Sequence, residues 1–253
     1  MTVASTASRS GSVPSRNTIH TVMVSGASRG IGRAIAQQLF HEGHRLSLGL
    51  RNPPAFAADP ANAELVASER VLLHPYEATD PRSPMAWLAS TRDVFGTVSA
   101  VVPCAGVFSR VGVCFEAGQL DEIAHTLTVN LMAPWWLCRA AWDDLEASGN
   151  GRIVMLVSMS GRRVKGRLAA YSASKFGLMG LCHTMRNEGW EAGIRVTAFC
   201  PGWVNTDMAA AVQEVAPEAM TQPDDLAASV AHLLALPATA VPFEFSVSCL
   251  LET

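Results

Sequence analysis

Lysine and tyrosine are scarce in this chain of 253 residues: two of each, Lys165 and Lys175, Tyr76 and Tyr171. A basic surplus is missing as well. With 16% charged residues and a net charge of −3, the chain carries no electrostatic footprint for nucleic acid. No apolar run approaches the roughly 18 residues that a membrane-spanning helix needs. The six cysteines (104, 114, 138, 182, 200 and 249) contain no C-x-x-C pair and no cluster with histidine. That argues against a zinc site and for unpaired thiols in a reducing, cytoplasmic setting. Acidic residues are absent until Glu42, while the first 17 residues are rich in serine and carry Arg9 and Arg16. A transit segment shares that bias, but this stretch has no sustained amphipathic pattern and no apolar region for secretion. Residues 1–19 are therefore expected to form a disordered extension.

What is present from Thr21 onward is an alternation of short apolar runs and helix-length segments. TVMVS (21–25), RLSLGL (45–50), RVLLHPY (70–76), VSAVV (98–102), RIVMLVS (152–158), IRVTAFC (194–200) and FEFSV (243–247) read as strands. Helical stretches are expected over 32–41, 83–95, 119–148, 171–191 and 223–236, with Gly43 closing the first. Near-continuous apolar strands separated by helices indicate a parallel sheet covered on both faces. No repeat or linker divides the chain after residue 20. The expected fold is thus α/β: one doubly wound, Rossmann-type domain over residues 20–253.

The first strand runs into SGASRGIG, residues 25–32. A strand–glycine–helix junction aims free N–H groups and the positive end of a helix dipole at one point, which suits a pyrophosphate. Glycines let the backbone approach such a ligand closely. The spacing is G-x-x-x-G-x-G, so Gly26, Ser28, Arg29, Gly30, Ile31 and Gly32 are the candidate phosphate-loop residues. After the second strand an acid would accept from a ribose 2′-hydroxyl, whereas arginine suits a 2′-phosphate. Here Leu50 is followed by Arg51, and Arg29 lies in the loop, so NADP(H) is favoured over NAD(H). A second pattern uses the scarce residues: Tyr171 and Lys175 stand four apart in YSASK, on one helix face. A phenol titrates near ~10 and a neighbouring cation favours its ionised form, so the pair reads as a tuned acid.

Together these features resemble the short-chain dehydrogenase/reductase family, in its compact branch, over about residues 20–247. The resemblance implies T-G-x-x-x-G-x-G at Ser25–Gly32 and Y-x-x-x-K at Tyr171 and Lys175. It implies a catalytic serine at Ser158, thirteen residues before Tyr171, and a catalytic asparagine at Asn130 in the helix 119–148. It also implies adenine contact by Asp80 and nicotinamide contacts from Pro201, Gly202, Val204 and Thr206. The family's asparagine before Ala-Gly is replaced: Cys104 precedes Ala105 and Gly106. The close-approach residues survive, while a side chain that ties neighbouring strands is lost.

The chemistry implied is hydride transfer between a nicotinamide and a carbonyl or alcohol. Tyr171 would be general acid or base, and Ser158 would hold the substrate oxygen. Lys175 would bind the nicotinamide ribose, and Asn130 would anchor a water leading to it. The alternative is a dinucleotide-binding regulator without turnover, against which the retained Asn130, Ser158, Tyr171 and Lys175 argue. Trp135 and Trp136 are expected on a helix face buried in the core or at a subunit interface, Trp203 beside the substrate cleft. The family likeness implies a homo-oligomer, a dimer or tetramer, through helices 119–148 and 171–191. Residues 207–222 should form a small lid without arginine or lysine, which suggests a neutral or apolar carbonyl as substrate.

Overall fold

The computed structural model describes residues 18–164, 166–210 and 215–251. The expected N-terminal extension therefore lies almost wholly outside the described residues, as do Lys165 and the middle of the expected lid. The elements run β1 (Thr21–Ser25), α1 (Gly30–His41), β2 (Arg45–Leu50), α2 (Pro53–Ala58), α3 (Ala63–Val66), β3 (Val71–Pro75) and α4 (Ser83–Phe95). They continue with β4 (Ala100–Pro103), α5 (Leu120–Leu127), α6 (Ala133–Ala147), β5 (Arg152–Leu156), α7 (Ala169–Gly189), β6 (Arg195–Pro201), α8 (Pro223–Ala235) and β7 (Glu244–Val247). The seven strands form one parallel sheet in the order β3-β2-β1-β4-β5-β6-β7. Strand order reverses between β1 and β4. In such a sheet the ligand crevice lies beyond the carboxyl ends of those two strands.

Each face of the sheet carries its own core. On one face Ile35, Leu39 and Phe40 of α1 pack with Leu226 and Val230 of α8 over Val24, Leu48 and Val102. On the other, α4, α6 and α7 bury Trp87, Leu137, Leu145 and Cys182 over Met23, Val101 and Met155. Strands buried on both sides explain why their sequences are continuous rather than alternating. Trp87 packs against Gly49 of β2, where an added Cβ would sit 2.6 Å from the indole. Its Nε1 donates to Ser47 Oγ at 2.7 Å, so the ring is pinned as well as buried. Truncating it to alanine would cost about 3–5 kcal/mol.

Two local departures matter for the site. The expected single helix 119–148 is interrupted: residues Thr128–Met132 widen into a π turn between α5 and α6. Pro134 explains the break, because it has no N–H to give the Asn130 carbonyl four residues back. The short helices α2 and α3 fill a stretch the apolar pattern left unassigned, each beginning at an Asn or in an Asn-Ala step. The second departure is in the sheet. β4 pairs with β5 at two positions, Ala100↔Arg152 and Val101↔Ile153, whereas β5 and β6 pair at five. Beyond Val101, β4 leans on β1 instead, with Cys104 N–H donating to the Ser25 carbonyl at 3.2 Å and Ala105 N–H to Ser25 Oγ at 3.2 Å.

Candidate active site

The glycine loop is a mutual backbone contact. Gly26 has φ +67°, and an added Cβ there would lie 2.7 Å from Ala105 N; at Gly32 it would lie 2.4 Å from the Gly26 carbonyl oxygen. Side chains at either position would force the β1 and β4 ends apart. Ser28 and Arg29 sit exposed in the turn, and Gly30 (φ +55°) stands against Thr206 across the crevice. Arg29 is the N-cap of α1, yet its side chain makes no cap bond, and the first turn carries no acid. The leading N–H groups of a 12-residue helix are thus left without a side-chain acceptor. This is the donor set an anionic pyrophosphate requires, so the loop fits a dinucleotide.

Tyr171 and Lys175 fall in the first two turns of α7, both buried. The Lys175 ammonium donates to the Leu156 carbonyl at 2.9 Å, at the end of β5. Burial pushes its pKa down to about 8. Tyr171 behaves contrary to expectation: burial raises its pKa above the ordinary value, and the hydrogen bond with Ser158 pulls it back in part. The protein's own groups therefore keep the phenol protonated at neutral pH. Lys175 fails to lower it because its Nζ is turned to Leu156 and lies 5.8 Å from the phenol ring centroid. Ser158, in the loop after β5, accepts from Ser160 N–H at 3.0 Å.

The Asn130 side chain, in the π turn, is held by its protein neighbours. Its Oδ1 accepts from Val107 N–H at 2.8 Å and its Nδ2 donates to the Val107 carbonyl at 2.8 Å and to Ser174 Oγ at 3.2 Å. The side chain thus clips the loop after β4 to α7 and is committed there. Its main-chain carbonyl is the group that Pro134 leaves without an α-helical donor.

Ser158, Tyr171 and Lys175 border a cleft of about 950 Å³ at the carboxyl edge of the sheet, whose wall does not include Asn130. Ile31, Gly106, Ser158, Tyr171, Lys175, Pro201, Gly202, Trp203, Val204 and Thr206 all line it, which brings together residues far apart in sequence. Trp203 is beside the cleft, whereas Trp135 is half-exposed on α6 and Trp136 packs partly into the core. Arg51, Asp80 and Arg29 are outside the cleft wall. Arg51 follows β2 in an exposed position and helps hold the Glu77 carboxyl low, after the larger effect of Thr79. Asp80 accepts from Arg82, backbone and guanidinium, which keeps its carboxyl low. Arg29 pairs with Asp207 at 3.3 Å, both side chains more than two-thirds exposed, a contact worth little in water.

Several wall residues have no counterpart in the sequence reading: Phe108, Arg110, Arg163, Arg167 and Leu250; Met208 comes from the expected lid. Phe108 meets Tyr171 edge-on, with ring centroids 5.0 Å apart. A signal for two of the arginines was available in GRRVKGR, residues 161–167, midway between Ser158 and Tyr171.

Comparison with known proteins agrees with this geometry. A family model described as short chain dehydrogenase matches residues 20–216. An agropine synthesis reductase of Rhizobium rhizogenes is 31% identical over 92% of this chain, which spans about half (53%) of that relative's length. A D-beta-hydroxybutyrate dehydrogenase of Rhizobium meliloti is 33% identical over 74% of this chain and 72% of its own. Among solved structures, an alcohol dehydrogenase of the archaeon Thermococcus sibiricus, complexed with 5-hydroxy-NADP, superposes with a TM-score of 0.76 at 26% identity. That match covers 93% of this chain and 99% of the other.

Proposed function

Because the chain belongs to the short-chain dehydrogenase family, we propose that it is an NADP(H)-dependent oxidoreductase interconverting a ketone or aldehyde with an alcohol. The observation that carries this reading is the meeting of Ser158, Tyr171 and Lys175 on one cleft with the uncapped start of α1. When bound, the nicotinamide supplies or accepts the hydride. Every other task falls to side chains of this protein.

In reduction, Tyr171 donates the proton to the substrate oxygen; its raised pKa keeps that proton in place at neutral pH. Ser158 holds the same oxygen as negative charge develops on it, a role for a preorganised donor. In oxidation Tyr171 must act as base, and Lys175 has to turn from Leu156 toward the phenol and the ribose to favour the phenolate. The water leading to Lys175 is assigned to the Asn130 carbonyl, since the side chain is committed to Val107. The adenosine end is assigned to Arg51, Arg29 and Asp80, with Arg29 exchanging its exposed Asp207 partner for a 2′-phosphate. The NADP-type ligand in the Thermococcus sibiricus neighbour supports that preference.

A reducing, cytoplasmic setting suits the six free cysteines. No helix among the described residues is long and apolar enough to cross a membrane. Trp135 of α6 and Phe176 of α7, 48% and 43% exposed, favour a homo-oligomer built on these helices. Light scattering that gives a stable monomer at micromolar concentration would remove that part. The function is tested by following oxidation of NADPH and NADH with a panel of ketones and aldehydes, and reduction of both oxidised forms with alcohols. Turnover faster with NADPH is expected. Tight cofactor binding without turnover of any carbonyl would select the regulatory reading instead.

A further inference from the structure

Beyond β7 the chain turns back on the cleft. The Val247 carbonyl accepts from Gly202 N–H at 2.7 Å, and Arg162, four residues past Ser158, pairs with Glu244 of β7 at 2.9 Å. Residues 248–251 thus leave the sheet beside the loops that carry Ser158 and Trp203. A bend follows at Cys249 and Leu250. The Cys249 thiol donates to the Trp203 carbonyl at 3.8 Å, and the same carbonyl accepts from Thr221 N–H at 3.2 Å. One backbone oxygen therefore holds both this segment and the end of the expected lid.

The two segments share a small core of their own. Ala209, Val215 and Met220 are buried together, with Trp203 and Cys249 packed against them, apart from the two cores of the sheet. In each segment the residue next to an anchor lines the cleft: Met208 beside Ala209, and Leu250 beside Cys249. Both are large apolar side chains left open, 48% and 42% exposed. With Phe108, Leu168 and Trp203 they give the cleft a concave apolar wall, the kind of surface that takes the carbon skeleton of a small ligand. Among the basic wall residues, Lys175 donates to Leu156, and Arg110 and Arg163 have partners within the protein. Sheet order also separates this wall from the phosphate loop. Counting outward from β1, which carries the glycine loop, β5 delivers Ser158, β6 Trp203 and β7 Leu250. Leu250 therefore arrives beyond Ser158, on the side away from the pyrophosphate donors.

We propose that Leu250, positioned by Cys249, is a specificity-determining residue that with Met208 receives an aliphatic chain of the substrate, so that the preferred substrate is a carbonyl compound with an unbranched apolar chain. This inference rests on the carbonyl-reductase reading and adds the substrate class to it. The probes are the methyl ketones from 2-butanone to 2-octanone, reduced with NADPH by the full chain. Their kcat/KM is expected to rise with length, by up to about fourfold for each methylene buried and at least about tenfold across the series. Leu250→Ser should cut the ratio of 2-octanone to 2-butanone at least about threefold, mainly through KM, and Leu250→Met should keep most of it. A general loss of folding or activity does not move that ratio. Cys249→Asp, which puts a charge in the small core, should lower the ratio likewise and add little to Leu250→Ser, because both act through one segment.

A kcat/KM that is flat with length, or a ratio that Leu250→Ser leaves unchanged, overturns the inference. If none of these ketones is turned over, calorimetric binding of 1-butanol through 1-octanol to the protein saturated with oxidised NADP reads the same preference. Affinity that rises with length and falls back in Leu250→Ser upholds the inference; affinity independent of length or of that substitution, or no binding, overturns it. Failure of the functional reading looks different: NADPH binds, and no carbonyl of a wide panel, short or long, charged or neutral, oxidises it.

Discussion

Two buried cations stand at opposite ends of β5. Arg152 opens the strand, 2% exposed, and Lys175 of α7 lies against its last residue, Leu156, 6% exposed. Neither forms an ion pair among the described residues, and burial pushes both down, Arg152 to about 10 and Lys175 to about 8. Arg152 donates to the carbonyls of Gly151 and Leu236, both at 3.1 Å, and so closes the amino edge of the sheet against the end of α8. His20 is beside it, pushed down to about 4 by burial first and then by His44 and Arg152. The amino edge is packed shut around its charges, while the carboxyl edge opens into the cleft with a tyrosine one turn from its lysine. A perturbed pKa is thus no guide to chemistry by itself. What separates the two ends is a path for a ligand.

The largest expected effect breaks the comparison at the open end. Tyr171→Phe removes the hydroxyl alone, so turnover should fall by the ~10²–10⁴ of a lost general acid, with cofactor binding and melting temperature nearly unchanged. A folded, cofactor-saturated Tyr171→Phe protein working at full rate would end the proposed mechanism.

Substituting the two cations tests the contrast directly. Lys175→Met should abolish measurable turnover and weaken NADPH binding, whereas Arg152→Met should leave kcat within about twofold, since it faces no cleft. The pH dependence adds a signed check. The folded pKa of Lys175 lies below the unfolded ~10.4, so between about pH 8 and 10 the unfolded lysine holds a proton that the folded one has released. Stability of the unsubstituted protein should therefore rise with pH relative to Lys175→Met across that window. The buried thiols of Cys104, Cys138 and Cys182, held up by burial, impose the opposite slope on both proteins and cancel in the difference. A flat difference in chemical-denaturation midpoints across the window would show that Lys175 is not desolvated.

At the closed end the same reasoning runs on the acid side. His20 is neutral in the fold, so stability should be intact above ~6.5 and fall as pH drops toward 4, by about 3 kcal/mol at the limit. Urea melts of His20→Gln should show a shallower acid loss, with activity at neutral pH unaffected. An identical acid profile for both proteins would move the buried charge elsewhere.

The smallest effect concerns an exposed cation. Arg51→Asp should shift cofactor preference toward NADH by about tenfold, read as the ratio of the two dissociation constants. Equal affinity for NADPH and NADH before substitution would withdraw the NADP(H) assignment.

Much of the site was legible in the chain because its chemistry depends on local spacing. Tyr171 and Lys175 share a face through the helix repeat, and Gly32 is required by a backbone contact with Gly26, six residues away. A parallel sheet covered on both faces followed from the alternation of elements, while the strand order came from the structure. The interruption at Asn130 was present too, in Pro134, but its consequence depends on which carbonyl loses its donor, and that needs the helix register.

Sequence alone therefore determined the sheet, the phosphate loop and the tyrosine–lysine pair, since each shows in the order and spacing of residues along the chain. Tertiary structure decided the rest. Burial holds the Tyr171 phenol up although a cation stands four residues away, because desolvation and the turn of Lys175 toward Leu156 outweigh proximity along the helix. It also decided that Arg110 and Arg167, 57 positions apart by their numbers, line one cleft. Charge is a property of composition, but the field at a point depends on which loops fold against it.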